Sequence, residues 1–542
     1  MRVLFIARRF SYLRNYEAAI LEMARRGHGV HLVSVAGEGR LEGTAMLERW
    51  AGQVPGITFE RLPAPPATHT KTSLRGRVSM MLDYLRFLDP AYRGSPGLIE
   101  RARRRTPVGF LRWLESTLAG RDRVRRLCAW FLRHVELAAP RRHELDGFLR
   151  DQAPDIVLFT PLIAMQSEEQ DLLAAAVEQG MRTVFCVLSW DNLSSKALLR
   201  TMPDLVTVWN NVQRDEARVL HGVPDERIAV TGAQSFDRWF NREPSRPRQE
   251  FLARVGLPAD RPFLLWVCSA LLRTSPMEAR FVRRWIAAVR AAADPELRSI
   301  PILVRPHPAR MLEWSTVSLD GFSDVSLWGA NPVDEDSSND YFDSLYHCTA
   351  IAGLNTSAFL EGAIVGRPVY TVLLPEYHES QEGTLHFPYL LEVAGGLLYA
   401  ARDMESHLAD LAAALRRPAG IDERSRRFVE AFVRPNGLDS NATTHFIHAI
   451  EDTAQRPAQR TPARERREAP AGFRWIYRWL ERLSRRPAVR EWLTSPFELE
   501  LRKRRQARKQ RQLEKVRYRE EKAEKLRAYR AKKQAREAAR QA

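Results

Sequence analysis

The sequence is short of cysteine. Cys128, Cys186, Cys268 and Cys348 are four in 542 residues. None forms a CxxC pair, and three lie in or beside strand-like apolar runs. They read as buried free thiols in a reducing compartment, which excludes a small disulfide-built scaffold. Long apolar runs are also missing. None reaches the roughly 20 residues that span a bilayer, and the start, Met1 to Ala7, lacks a signal-peptide cleavage pattern. The expected location is cytoplasmic, with any membrane contact peripheral on the inner face of the cell membrane. A glycine-rich phosphate loop is absent after the first strand, where the chain reads Ala7-Arg8-Arg9-Phe10-Ser11, so a dinucleotide-binding reading is weak. The C-terminal tail lacks a heptad: Leu513, Val516, Leu526 and Tyr529 do not sustain one, which argues against a coiled coil.

What is present is an ordinary globular balance, 44% hydrophobic and 28% charged, with a net charge of +18. That charge is concentrated. Residues 501–542 hold 18 Lys/Arg against 5 Asp/Glu, and residues 71–142 hold 17 against 6. The rest of the chain is mildly acidic. An enzyme body with basic docking surfaces for anionic lipid or another polyanion fits this pattern; nucleic acid is not the expected partner.

The hydrophobic pattern predicts a strand at 2–7, a helix to about Arg26, a stop at Gly27 and a strand at 30–34: a βαβ unit and hence a parallel sheet. Residues 71–150 interrupt with basic, aromatic helices. The α/β alternation resumes with strands at 155–159, 183–188, 205–209 and 227–232. Prolines at 244, 247, 258 and 262 mark a connection. A second α/β run follows, with strands at 263–267, 302–304, 350–352, 369–372 and 397–400, and a last helix at about 440–452. The expected organisation is a first domain at 1–240 carrying the helical insertion, a linker at 241–262, a second domain at 263–453 and a linker at 454–472. An amphipathic aromatic segment at 473–496 and a basic tail at 497–542 complete it. On a helical wheel Phe473, Trp475, Ile476, Tyr477, Trp479, Leu480 and Leu483 share one broad side of 473–483. That segment and 501–542 are candidates for an anionic membrane surface. A cleft between two similar α/β halves is the default ligand site.

Several segments carry chemistry. Val304-Arg305-Pro306-His307-Pro308 puts a guanidinium and an imidazole at the carboxyl end of a strand, on a turn stiffened by proline, which suits a phosphate. Asn355, Thr356 and Ser357 follow another strand and open a helix, where hydroxyls and free N–H groups hold phosphate. Glu361 lies one turn on, within reach of a ribose. In the first half Ser189-Trp190-Asp191-Asn192-Leu193-Ser194-Ser195-Lys196 follows a strand; Asp191 is a candidate general base and Lys196 a phosphate contact. Trp209-Asn210-Asn211 is a second cleft-facing candidate. Asp334-Glu335-Asp336 looks like a metal motif but lies in a Ser/Asn/Asp-rich loop, and no metal is expected.

The halves resemble the two domains of GT-B glycosyltransferases. The resemblance rests on Arg26-Gly27-His28, on His221-Gly222-Val223-Pro224 with Arg227 to Gly232 and Phe236-Asp237, on Arg305 to Pro308, and on Asn355 to Val369. Similar elements occur in bacterial sialyl- and Kdo-transferases and CDP-glycerol glycerophosphotransferases; non-hydrolysing UDP-N-acetylglucosamine 2-epimerases share the architecture. It covers about residues 1–450 apart from the insertion. The resemblance implies an α/β fold of two Rossmann-like domains facing a cleft. It also implies a transferase moving a sugar or related group from a nucleotide-activated donor to a cell-surface polysaccharide or glycolipid precursor. Arg305, His307, Thr356 and Ser357 would contact donor phosphate, with Asn355 beside them, and Glu361 the ribose. Asp191 and His307 would be catalytic, and Arg8, Arg9 and Lys196 would lie on the acceptor side. The nucleotide sugar would be substrate, with no cofactor and no metal. The rivals are a 2-epimerase on the same fold and a non-catalytic glycan-assembly protein.

Overall fold

The computed structural model describes residues 1–35, 43–63, 72–116, 122–140, 143–165, 167–272, 275–332, 334–417, 420–456 and 469–503, with 506, 507 and 510. Two parallel sheets dominate. The first contains β1 (Arg2–Ala7), β2 (Gly29–Ser34), β3 (Ile57–Arg61), β4 (Ile156–Thr160), β5 (Thr183–Cys186), β6 (Leu205–Val208) and β7 (Ile228–Val230), in the order β3-β2-β1-β4-β5-β6-β7. The second contains β8 (Leu264–Val267), β9 (Ile302–Arg305), β10 (Val325–Leu327), β11 (Ala350–Gly353), β12 (Val369–Val372) and β13 (Leu398–Ala401), in the order β10-β9-β8-β11-β12-β13. Each order reverses once, between β1 and β4 and between β8 and β11. The carboxyl ends of those strands are where open α/β sheets bind ligands.

The central strands are apolar throughout because helices cover both faces. Helices Glu17–Arg25 and Thr44–Gln53 pack on one face of the first sheet, and His143–Gln152 and Glu169–Glu178 on the other. Two strands escaped the sequence reading, β3 and β10. Both are edge strands, and their burial is partial: Thr58 is exposed and Leu327 is exposed. A strand covered on one side carries polar residues and loses the continuous apolar signature.

The helix Ala442–Gln455 does not pack with the second sheet. Phe446, Ile447 and Ile450 insert into the core of the first sheet, beside the helix Glu17–Arg25 and β6. The chain crosses back at Val433 to Asn441. There Arg434 pairs with buried Asp237 at 2.7 Å, and the Asp237 carboxylate also accepts the Thr443 N–H at 2.6 Å. Gly232 takes φ +83° at this crossing, and a Cβ there would meet Ala442 at 2.8 Å.

Among its described residues the helical insertion forms the α-helices Leu74–Phe87, Pro96–Arg103, Val108–Ser116, Asp122–Leu137 and His143–Gln152. It is bolted to the first sheet by charge. Arg200 pairs with Asp83 at 2.9 Å and Glu136 at 3.0 Å, and Arg86 donates to the carbonyls of Leu193 and Lys196. The aromatic segment forms helices Ala471–Ser484 and Pro487–Trp492 and lies on the insertion. Its broad apolar side divides. Phe473, Ile476, Tyr477 and Leu480 face the insertion's core, with Tyr477 2% exposed, while Trp475 and Trp479 stay 69% and 50% exposed. The buried stripe runs i, i+3, i+4, i+7, and the two tryptophans sit beside it. The tail expected from 497 onward begins as packed chain: the Phe497 N–H donates to the Arg104 carbonyl at 2.9 Å. Residues 511–542 lie outside the described residues.

Candidate functional site

β9 ends at Arg305, and its side chain turns inward. The guanidinium is 4% exposed, lies against the rings of Trp328 and Tyr341, and meets the carbonyls of Asp340 and Ala330 at 3.4 Å each. Gly329 makes the space: a Cβ there would stand 2.7 Å from Arg305 Cζ. Among the described residues Arg305 has no ion pair. His307 is half-buried, and its Nδ1 accepts the Ala309 N–H at 3.1 Å. Burial, with the nearby Arg310 charge, lowers its pKa, so the ring is neutral at pH 7 and its proton sits on Nε2 as a donor.

At the switch point of the second sheet the Asn355 N–H donates to Ser269 Oγ at 3.1 Å, and its amide donates to the Ser380 carbonyl. Ser269 leans on buried Glu278, whose carboxylate accepts the Ser269 N–H at 2.6 Å; burial pushes Glu278 up to about 8. Thr356 Oγ1 accepts the Ala358 N–H at 3.3 Å, and Ser357 is exposed. Glu361, on the helix Ala358–Ile364, accepts the Tyr341 hydroxyl proton. Burial pushes Glu361 up to about 7, against the Tyr341 hydrogen bond and the charges of Arg238 and Arg14. Arg14 comes from the first half, so Glu361 stands at the boundary between the halves.

On the other side, Asp191 precedes the short helix Asn192–Ser195. It accepts hydrogen bonds from Ser189 Oγ at 2.7 Å, Ser195 Oγ at 2.9 Å and Lys196 Nζ at 2.7 Å. Burial would raise its pKa. The Lys196 charge, the His386 ring and the hydrogen bonds outweigh burial and hold it well below the usual carboxylate range. His386 reaches over from the second half, edge-on to Trp190 with centroids 4.7 Å apart. Burial pushes it down to about 4, so it too is neutral at pH 7. A second contact crosses nearby: the Tyr389 hydroxyl donates to Glu216 at 2.7 Å, and burial pushes Glu216 up to about 8.

The structure thus brings Asp191 and Lys196 together, and Asn355 with Thr356, Ser357 and Glu361 on one segment. Asn210 caps its helix and donates to the Phe432 carbonyl at 2.8 Å, which ties the crossing in place. Asp334 caps the helix Glu335–His347, and Asp336 pairs with Arg246 and Arg254. Among the described residues no group of three or more His, Cys, Asp or Glu is placed to hold a metal. His386, Glu216, Tyr389 and Arg101 were not foreseen. Glu216 carried a signal: it shares the inner face of its helix with buried Gln213 and Ala217.

A cavity of about 760 Å³ opens at the carboxyl ends of β1, β4 and β5. Arg8, Pro161, Ser189 and Lys196 line its floor, and Arg101 and Arg105 enter from the insertion. Arg9 is exposed and is not part of the lining. Phe497, Glu498, Leu501 and Arg502 cover it. The volume is that of a small-molecule site.

No family model matches the chain, and no curated protein matches it. Solved structures do. A putative UDP-N-acetylglucosamine 2-epimerase from Listeria monocytogenes superposes with a TM-score of 0.50 at 13% identity, over 84% of this chain and 96% of that one. A glycosyltransferase from Rickettsia africae ESF-5 gives 0.48 at 9% identity, over 84% and 99%. The UDP-GlcNAc 2-epimerase of Methanocaldococcus jannaschii gives 0.48 at 9%, over 83% and 99%. Sheet orders, the crossing back at Asp237 and the first of these likenesses agree on the fold, the GT-B arrangement of two Rossmann-like units across a cleft.

Proposed function

We propose that the protein is a glycosyltransferase that takes a sugar from a nucleotide-activated donor held by the second half and passes it to an acceptor held by the first. The observation that carries this reading is the pair of separate polar sites at the carboxyl edges of the two sheets. An enzyme working on one nucleotide sugar has no need of the second.

In this reading His307, Asn355, Thr356 and Ser357 hold the donor phosphates, with the inward-turned Arg305 adding its charge from behind instead of touching them as the sequence suggested, and Glu361 accepts from a ribose hydroxyl. The acceptor oxygen attacks the anomeric carbon, the bond from that carbon to the nucleotide phosphate breaks, and the acceptor proton leaves to a base. Asp191 is the proposed base. Its low pKa keeps it ready as a carboxylate but gives it a small driving force, so the neutral His386 beside it shares the proposal. His307 Nε2–H and the Arg305 charge stabilise the leaving phosphate.

The acceptor belongs to a cell-surface glycan or lipid-linked precursor, and the protein sits peripherally on an anionic membrane. The support is the exposed Trp475 and Trp479, with exposed Trp113 and Trp130 on the insertion, all set in Arg-rich sequence. No helix among the described residues is long and apolar enough to cross a membrane.

The test is thermal stabilisation of the full chain by CMP, CDP, UDP, GDP and dTDP, with and without His307→Ala. One nucleotide should stabilise, and the variant should lose the shift. Turnover of the matching nucleotide sugar without acceptor would replace this reading by an epimerase. Failure of all five would remove the donor site.

A further inference from the structure

The cavity over the first sheet is built for a ligand of narrower chemistry than a sugar hydroxyl. Its lining carries five cationic side chains, Arg8, Arg101, Arg105, Lys196 and Arg502, against one carboxylate, Glu498. A neutral glycan has no use for that charge. Lys196 is anchored by Asp191 at 2.7 Å. Arg101 donates one N–H to the Ser195 carbonyl, and its Nε has no hydrogen-bond partner. Glu498 does not neutralise the group: its nearest ion pair is with Arg77, at 3.9 Å, outside the lining. Burial, with the charge of Arg105 adding to it and that of Asp191 opposing it, pushes Arg101 down to about 10.

The other walls are apolar. Met80 and Met165 lie on one side, and Phe497 and Leu501 come from the covering segment. Arg105 lies against the Phe497 ring, 5.8 Å from its centroid. The covering segment continues from the helices that carry the exposed tryptophans. It is fastened to the insertion by the Phe497 and Val108 N–H groups, which donate to Arg104 and Thr494 carbonyls. Cations on the floor and one wall, with Met80, Met165, Phe497 and Leu501 beside them, fit an anion with a hydrocarbon attached.

Resting on the reading of the first half as the acceptor side, we propose that this cavity binds the phosphate or diphosphate group of a lipid-borne acceptor. Arg8, Arg101, Arg105 and Lys196 take the phosphate oxygens, and Met80, Met165, Phe497 and Leu501 take the first carbons of the lipid. The roof segment 495–502 connects the cavity to the tryptophan-bearing helix surface, which is where a lipid enters.

The test uses calorimetric titration of the full chain with geranyl diphosphate, inorganic pyrophosphate and geraniol. Geranyl diphosphate should bind and geraniol should not. Arg8→Ala and Arg101→Ala should each weaken geranyl diphosphate about tenfold or more, the loss of one charge-assisted contact. Arg502→Ala, at an exposed position, keeps the test alive should Arg101→Ala fail to fold, and it should weaken binding several-fold. Phe497→Ala should weaken geranyl diphosphate and leave pyrophosphate unchanged. His307→Ala should leave geranyl diphosphate binding as it was. Equal affinity for pyrophosphate and geranyl diphosphate, indifferent to Phe497→Ala, would mean a free polyanion site and overturn the lipid assignment. Absence of binding, or binding abolished by His307→Ala, would overturn the proposal as a whole. The donor reading would still stand in either case if a nucleotide continues to stabilise the protein through His307.

Discussion

The two sheets share an architecture and differ at their carboxyl edges. On the second sheet the acidic groups are governed by burial. Glu278 is pushed up to about 8 and Glu361 up to about 7, and each is held by neutral hydrogen-bond partners, Ser269 and Tyr341. On the first sheet Glu216 follows the same rule, but at Asp191 pairing wins: it is buried as well, yet Lys196 and its hydroxyl neighbours keep it ionised. Burial and pairing move a carboxylate in opposite directions. The result is a second site bordered by acids of raised pKa and a first whose cavity lining carries a surplus of cations. In the proposed transferase the nucleotide contacts take the lower-charge surroundings and the acceptor the cationic cavity.

The sharpest way to break the comparison is His307→Ala. If the second half holds the donor, the variant loses nucleotide-induced stabilisation. Transfer should fall about 10²- to 10³-fold, the scale of removing one preorganised donor to a developing charge. Product formation from radiolabelled nucleotide sugar checks it. Equal loss of geranyl diphosphate binding would show that the two edges are not separate sites.

Stability against pH separates the two carboxylate regimes next. Glu216 and Glu278 have raised pKa values of about 8, so their protonated forms stabilise the fold at low pH, and that stability drains as pH rises from about 4.5 to 8. His386 and His407, lowered to about 4, act the other way and gain stability for the fold as pH rises from about 4 to 6.5. Between pH 6.5 and 8 the glutamates remain. The thermal midpoint should drop across that window, and Glu278→Gln should flatten part of the drop, an effect on the order of a few kcal/mol. Asp191, lowered instead of raised, should add no slope there; its contribution is lost on acidification below the ordinary carboxylate range.

The aromatic helix offers a comparison within one element. Tyr477→Ala removes a side chain buried against the insertion and should destabilise by about 3 kcal/mol. Trp475→Ala with Trp479→Ala should leave the melting midpoint within about 1 °C, since surface changes cost little. That pair should also weaken binding to vesicles containing anionic lipid several-fold, read by co-sedimentation. Unchanged vesicle binding would leave the exposed tryptophans without a membrane role.

Much of this was readable from the residues. β4, β5 and β6 are covered on both faces, so their apolar runs announced them; Thr58, Glu60 and Arg61 in β3 hid an edge strand. Arg305 and His307 stood out because prolines bracket a charged pair at a strand end. His386 could not be found that way. It lies in a loop without periodicity, and its meaning comes from Trp190 and Asp191, which the fold brings to it across the cleft. The helical wheel of 473–483 grouped seven apolar residues, but a helix lying on a flat partner buries a narrower stripe. Which four would pack on the insertion depended on where it sits.

The smallest predicted effect tests how the halves are held. Tyr389 in the second half and Glu216 in the first share one hydrogen bond of 2.7 Å, and neither is charged at pH 7 when Glu216 keeps its proton. Tyr389→Phe removes the hydroxyl and keeps the ring, which packs near Phe432. A neutral hydrogen bond is worth about 1 kcal/mol, so global stability should barely change. Losing that contact shifts the opening equilibrium of the cleft about fivefold for that energy. Amide hydrogen exchange in 189–196 and 384–390 should therefore speed up severalfold while the core of both sheets stays protected. If exchange is unchanged, the halves are held by the other crossings, the Asp237–Arg434 pair and the apolar cluster of Trp190, Phe387 and Phe432 among them, and this hydrogen bond is a consequence of closure instead of its cause.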